Sequence, residues 1–137
     1  MKKRVRAVII KNDKVLLIKR TKPDIVYWAT PGGAVENGET NKQALIRECQ
    51  EELGVTVKVK NLILETASQK PETIGQKEYF YICEIIGGKV GSGHGPEFKK
   101  NTTYIGKYDI EWVKIKDLKK IDLRPVDISN LILNKFL

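Results

Sequence analysis

Residues 33 to 55, GAVENGETNKQALIRECQEELGV, encode one helix with both ends marked and set four glutamates and an arginine at fixed intervals around it. Thr40 is a good N-cap and Gln43 lies three residues on, so the pair reads as a capping box that satisfies two otherwise orphaned donors. The predicted helix runs from Asn41 to Leu53. Gly54 follows where a left-handed C-terminal residue is wanted, a conformation glycine adopts without steric cost. At about 100° per residue, Leu45, Ile46, Cys49 and Leu53 gather on one side, while Ala44, Glu48, Glu51 and Glu52 gather on the other. One face is expected to be core and the other acid.

Three carboxylates within five residues repel one another, and like charges at i, i+4 cost a few tenths of a kcal/mol, a penalty that a divalent cation removes. Hard oxygen ligands suit Mg²⁺, with Mn²⁺ as a substitute, rather than zinc, and no cluster of Cys and His competes for the assignment. The bland reading is a solvated helix face in which Arg47 pairs with Glu51 and the other acids keep the chain soluble. Any one of these glutamates alone would be read that way; the set at this spacing is not.

The spacing is Gly33, five residues, Glu39, seven residues, Arg47-Glu48, then Cys49, Gln50, Glu51-Glu52, Leu53, Gly54 and Val55. It resembles the Nudix box, G-x5-E-x7-R-E-U-x-E-E-x-G-U with U apolar, at every specified position. Chance agreement at average residue usage is roughly one window in 10⁹. Cys49 stands where the family usually has a larger aliphatic residue, and free cysteine behaves as a small hydrophobe. The resemblance implies that Arg47 orients the acids, that Glu48 and Glu52 are the main metal ligands, and that Glu51 and Glu39 are further ligands or water-orienting groups.

Upstream, Tyr27-Trp28-Ala29-Thr30-Pro31-Gly32-Gly33 reads as a strand end and a Pro-Gly-Gly turn, and it resembles the family's W-x-x-P-G-G lead-in. Glycine lets a ligand approach the main chain, so Gly32 and Gly33 are candidates for presenting amides to phosphate. Trp28 is core or pocket wall, with core preferred.

A chain of 137 residues is one domain's worth, able to bury about two thirds of the surface its unfolded form exposes. A 41% hydrophobic and 31% charged composition is that of a globular protein, and nothing approaches a membrane span. The apolar run of MKKRVRAVII is broken by Arg6 and too short for a signal peptide, so a cytoplasmic location is expected. Cys49 and Cys83 show no metal or redox spacing and read as buried thiols. The net charge of +8 favours anionic partners such as polyphosphates, nucleotides or nucleic acid, a bias rather than a site. Its lysines are dispersed without an RNA-binding or helix-turn-helix pattern, which disfavours nucleic acid as the main partner.

Arg4 to Ile10 and Lys14 to Arg20 read as strands joined by a hairpin turn at Asn12-Asp13. Val55 to Thr66, Gln76 to Ile86 and Tyr108 to Ile115 are further strands, and a last helix covers about Pro125 to Phe136. Strands on both sides of one helix, with a second helix at the end, predict an α/β fold with a mixed central sheet covered on two faces. This agrees with the Nudix α/β/α sandwich over a single domain, residues 1–137.

The segment GGKVGSGHGPEFKKNTTYIGK is the one long irregular stretch, and such loops often hold binding residues. Within it Glu97 is the candidate fifth acid, since the family commonly uses a loop glutamate after the box as metal ligand or general base; an exposed loop acid is the equal alternative. His94 is better read as an exposed histidine than as a base. Tyr79, Phe80 and Tyr81 alternate sides, so either Phe80 or the tyrosines face inward, and Tyr79 is the candidate to stack on a nucleobase, with packing the competing reading. Pro71 lies 16 positions after Val55, similar to a proline that marks the family's ADP-ribose branch, and is a small pointer only.

The function implied is metal-dependent hydrolysis of a nucleoside diphosphate linked to another moiety: ADP-ribose, a nucleoside triphosphate or a nucleotide sugar. Water attacks phosphorus and two phosphate-bearing products leave. The resemblance makes Arg47, Glu51 and Glu97 the candidate catalytic residues: the helix acids act indirectly by holding metal, Arg47 orients them, and one further carboxylate, with Glu97 the leading candidate, orients or deprotonates the water. The alternatives are a nucleotide- or RNA-binding regulatory module on the same fold, and a structural domain with a solvated acidic helix. Homodimerisation is common in the family and leaves no readable mark.

Overall fold

The computed structural model describes residues 2–93 and 106–137. Its first element is the expected hairpin: β1 (Lys3–Lys11) and β2 (Lys14–Lys22) meet antiparallel with Ile10 opposite Val15. Asn12 and Asp13 turn the chain with φ of 52° and 64°, the doubly positive pair that matches strand twist in a two-residue loop. Beyond the turn, β1 leaves its partner. One edge pairs antiparallel with the short β4 (Gly32–Ala34), and the other pairs parallel with β6 (Lys77–Gly88), with Lys3 to Ile9 opposite Lys77 to Cys83.

The remaining strands extend this frame on both sides. β5 (Val55–Ala67) adds antiparallel to β6, while β2 also pairs with β3 (Ile25–Ala29) and β7 (Lys107–Lys114). The resulting order is β3-β2-β1-β6-β5, with β4 beside β1 and β7 beside β2, a mixed sheet.

Alternation along the strands builds a core on each side of it. Val5, Ala7, Ile9, Leu16 and Ile18 face α1 (Asn41–Leu53), whose Ala44, Leu45, Cys49 and Leu53 complete the first cluster. Val8, Val15, Leu17, Trp28 and Phe80 face α2 (Val126–Phe136), whose Ile128, Ile132 and Leu133 complete the second. Each large aliphatic or aromatic side chain taken from water in this way contributes about 1.5–3 kcal/mol. Helices on both faces of the sheet are the expected α/β/α layering.

Helix α1 begins and ends where its sequence dictates. Thr40 Oγ1 accepts from the Gln43 N–H at 3.1 Å, and Gln43 Oε1 accepts from the Thr40 N–H at 2.9 Å. At the other end Gly54 has φ 77° and donates to the Gln50 carbonyl at 3.0 Å. A Cβ on Gly54 would also collide with Ser92, which packs over this end of the helix.

Three expectations are corrected. Pro-Gly-Gly is not simply a turn, because Gly32 and Gly33 belong to β4 and pair with Arg6 and Val5 of β1. With β4 running beneath the helix, α1 is rotated: the Ala44-Glu48-Glu52 row faces the protein beside the Leu45-Cys49-Leu53 row. Ile46 is left 41% exposed, whereas Ala44 is fully buried and Glu52 is 6% exposed. Finally, the aromatic strand does not choose between its faces. Phe80 packs in the second cluster and Tyr79 and Tyr81 in the first, because β6 lies inside a sheet covered on both sides.

Both cysteines are free and buried. Burial pushes the Cys83 thiol up to about 12 and moves Cys49 further in the same direction, so neither is a reactive thiolate. Among the described residues no helix is long and apolar enough to cross a membrane.

Candidate active site

The acids of α1 are placed by three consecutive residues of β4. The Gly32 N–H donates to Glu52 Oε1 at 2.7 Å in a buried setting, which explains how a carboxylate comes to lie so deep. Glu48 lies against Gly33 so closely that a Cβ on residue 33 would fall 2.6 Å from its Oε1. The Ala34 carbonyl accepts from Arg47 Nη2 at 3.1 Å. Gly32 itself has φ 146°, and a Cβ there would collide with the Val5 carbonyl, so only glycine fits beneath the helix.

Arg47 ties the outer acids together. It grips Glu39 with two bonds, Nε to Oε2 at 2.8 Å and Nη2 to Oε1 at 3.0 Å, and its Nη1 reaches Glu48 at 3.1 Å and Glu51 at 3.2 Å. The planar guanidinium supplies this fork, which a lysine ammonium cannot. Bonding to Glu39 raises the Arg47 guanidinium above its ordinary range. The same bond, with the Glu36 N–H donating to Glu39 Oε1 at 2.9 Å, holds Glu39 below the usual carboxylate value.

Glu48 and Glu52 line a cleft of about 520 Å³, to whose lining Gly32 and Gly33 also contribute. Part of its lining is cationic: Arg4, Arg6, Arg20, Lys22 and Lys70 all contribute. Arg6 is held in a buried pair, its Nε donating to Glu78 at 3.1 Å and its Nη1 to the Thr30 carbonyl at 3.1 Å. The Arg20 guanidinium lies 4.0 Å from the Tyr108 ring centroid and donates to its hydroxyl at 3.1 Å. A second cavity of about 410 Å³ shares Arg6, Lys22, Lys70 and Glu72 with the first and continues to Tyr27, Pro71 and Arg124.

This cationic lining is the part that reading the lysines as dispersed missed. Arg4 and Arg6, then Arg20 and Lys22, stand two apart on adjoining strands, and that period puts each pair on one sheet face. The aromatic candidates lie elsewhere. Trp28 is 9% exposed in the second core cluster and Tyr79 packs on the first, and neither lines the cleft. Tyr27, not singled out from sequence, lines the adjoining cavity. Glu97 and His94 lie outside the described residues.

Among the described residues no three acidic, thiol or imidazole side chains converge into a closed metal cage. Two carboxylates lining one cleft nevertheless fit Mg²⁺, which usually takes one or two protein carboxylates and completes its octahedron with water and substrate phosphates.

A sequence profile described as the NUDIX domain matches residues 1–131. The chain is 40% identical over 91 residues to "ADP-ribose pyrophosphatase" of Methanocaldococcus jannaschii, a match covering 65% of this chain and 54% of that protein. It therefore spans about half the length of that relative. It is 33% identical over 137 residues to "Nucleoside triphosphatase NudI" of Escherichia coli O139:H28, a match covering 94% of each. Among solved structures, the MutT NUDIX hydrolase from Burkholderia pseudomallei superposes with a TM-score of 0.72 at 22% identity, covering 99% of this chain and 98% of that one, a likeness of fold. Box spacing, layered fold and profile agree: the chain belongs to the NUDIX family.

Proposed function

We propose that this protein is a metal-dependent pyrophosphohydrolase that cleaves a nucleoside diphosphate linked to another moiety. The observation that carries this reading is the cleft itself, lined by Glu48 and Glu52 together with several cations. Such a cleft attracts a phosphate chain through its cations and offers hard oxygen ligands through its carboxylates. The names of the M. jannaschii and E. coli relatives, a pyrophosphatase and a triphosphatase, support phosphoanhydride cleavage as the reaction.

Glu48 and Glu52 would hold Mg²⁺ or Mn²⁺, with Glu51 and Glu39 as further ligands or water-orienting groups. When bound, the metal supplies charge neutralisation, polarisation of the P–O bond and acidification of a water. Arg47 keeps the carboxylates spread in fixed directions, so they need not reorganise as charge develops at phosphorus. The Gly32 amide holds Glu52 at its depth. A carboxylate, Glu51 or the loop acid Glu97, accepts the proton as water attacks in line, and the bridging P–O bond breaks to give two phosphate-bearing products.

The test is a hydrolysis panel of ADP-ribose, nucleoside triphosphates, dinucleoside polyphosphates and nucleotide sugars, with Mg²⁺ and Mn²⁺ compared. Metal-dependent release of two phosphorylated products from at least one group is expected. Tight ligand binding without turnover of any of them would overturn the reading in favour of a regulatory module.

A further inference from the structure

Lys70 stands where the two cavities meet. It lines both the cleft that holds Glu48 and Glu52 and the adjoining cavity that holds Tyr27 and Arg124. The turn that carries it is closed on itself: the Ser68 N–H donates to the Gln76 carbonyl at 2.7 Å, the Gly75 N–H donates to the Ser68 carbonyl at 3.1 Å, and the Ser68 and Thr73 hydroxyls bond at 2.7 Å. The Lys70 N–H adds a bond to Ser68 Oγ at 3.3 Å, so a fixed backbone presents the flexible side chain.

Its amine differs from those of other lysines in the chain. Lys60, Lys77 and Lys120 are exposed, and each meets a carboxylate, Glu84, Glu65 and Asp117 respectively. Lys70 is half-buried, and its ammonium makes no ion pair among the described residues. Burial, then Arg6 and Arg4 on β1, bring it down to about 8; Glu72 on its own turn opposes the shift and Arg20 on β2 adds to it. Lys22, Glu48 and Glu52 line the same cleft. At pH 7.5 about a quarter of such an amine is neutral, against about one part in a thousand for an ordinary lysine. The neutral form is the nucleophile, and a lysine desolvated beside other cations is the activated kind.

A carbonyl electrophile that carries its own phosphate suits this place, because guanidinium groups draw the phosphate in and stabilise it as a leaving group. We propose that Lys70 is an acyl-acceptor site, N-acylated by small acyl phosphates that enter the cleft. The neutral Nζ attacks the acyl carbon and a C–N bond forms. The C–O bond to phosphate breaks with its electron pair going to oxygen, and the amine proton leaves on the departing phosphate. No oxidant or further reactant is required. The product amide removes a positive charge and adds bulk at the junction of the two cavities, so acylation and anion binding in the cleft oppose one another. This chemistry does not rest on the pyrophosphohydrolase reading.

The test uses the wild-type protein, so no variant has to fold. Incubation with acetyl phosphate at pH 7.5, followed by digestion and mass spectrometry at successive times, gives the acetylation rate of each lysine. Lys70 should react about tenfold or more faster than Lys60 and Lys77. Between pH 7.5 and 9 its rate should rise only about fourfold, where an ordinary amine gains about thirtyfold. Inorganic pyrophosphate, which competes for the same cations, should slow Lys70 while leaving Lys60 and Lys77 unchanged. Acetylation of Lys70 no faster than of those two exposed lysines would overturn the site. So would a Lys70 rate that pyrophosphate does not touch, since the phosphate of the reagent would then not be entering the cleft.

Discussion

The backbone N–H of Gly32 donates to Glu52 Oε1 at 2.7 Å, joining a three-residue strand to the last turn of the acidic helix. A buried carboxylate needs such a partner, since an ion removed from water without one costs several kcal/mol. The glycines before the helix therefore act first on the protein's own acids. Gly32 anchors one carboxylate and Gly33 makes room for the next.

Gly33→Ala separates that role from folding. The new Cβ would overlap the carboxylate of Glu48, the movable end of a flexible side chain, so the fold should lose less than about 1 kcal/mol. Displacing the carboxylate should raise the Mg²⁺ concentration for half-maximal hydrolysis by about tenfold or more. Thermal melting and a metal titration of activity check both parts.

Arg47→Lys keeps the charge and removes the fork. Lysine can replace neither the two-point grip on Glu39 nor the simultaneous bonds to Glu48, Glu51 and the Ala34 carbonyl. Turnover should fall about 10–100-fold, with a stability cost of about 1–3 kcal/mol. Steady-state kinetics beside denaturant melts would show whether the two losses occur together.

Pairing with Arg47 gives Glu39 a pH signature. Its folded value lies below the ordinary 4.5, first because Arg47 hydrogen-bonds the charged form and then because the Glu36 amide does. A lowered carboxylate value means stability that is fully present above 4.5 and is lost as pH falls through the folded value. The wild-type melting temperature should therefore decline more steeply below pH 4.5 than that of Glu39→Gln. Parallel curves for the two proteins would contradict this pairing.

Glu78 carries the main electrostatic risk beneath the cleft. It and Arg6 are both largely buried and bonded at 3.1 Å, so removing the carboxylate strands a buried guanidinium. Glu78→Ala should cost about 3–5 kcal/mol, while the paired change Arg6→Met with Glu78→Leu should recover much of that loss. Urea unfolding of the single and double variants measures both values.

Sequence revealed the parts of this site that are local. The capping box of Thr40 and Gln43, the stop at Gly54 and the turn at Asn12-Asp13 each depend on neighbours in the chain, and each stands as expected. The depth of Glu52 and the exposure of Ile46 were not legible, because they follow from β4 slipping beneath the helix to pair with β1. A three-residue strand beginning with two glycines has no alternation to betray it. The cationic lining was half legible. The period-2 spacing of Arg4 with Arg6 and of Arg20 with Lys22 was present, but their meeting with Glu48 around one cleft requires the sheet order, which sets β2 beside β1.

The most direct test of the central claim is the turnover of Glu52→Gln at saturating Mg²⁺, read beside its melting curve. The amide side chain keeps an oxygen to accept from Gly32 and so should keep the fold, but it removes the charge that would hold the metal. Hydrolysis should fall by about 10³-fold or more with the melting temperature nearly unchanged. Near-normal turnover in that variant would contradict the claim.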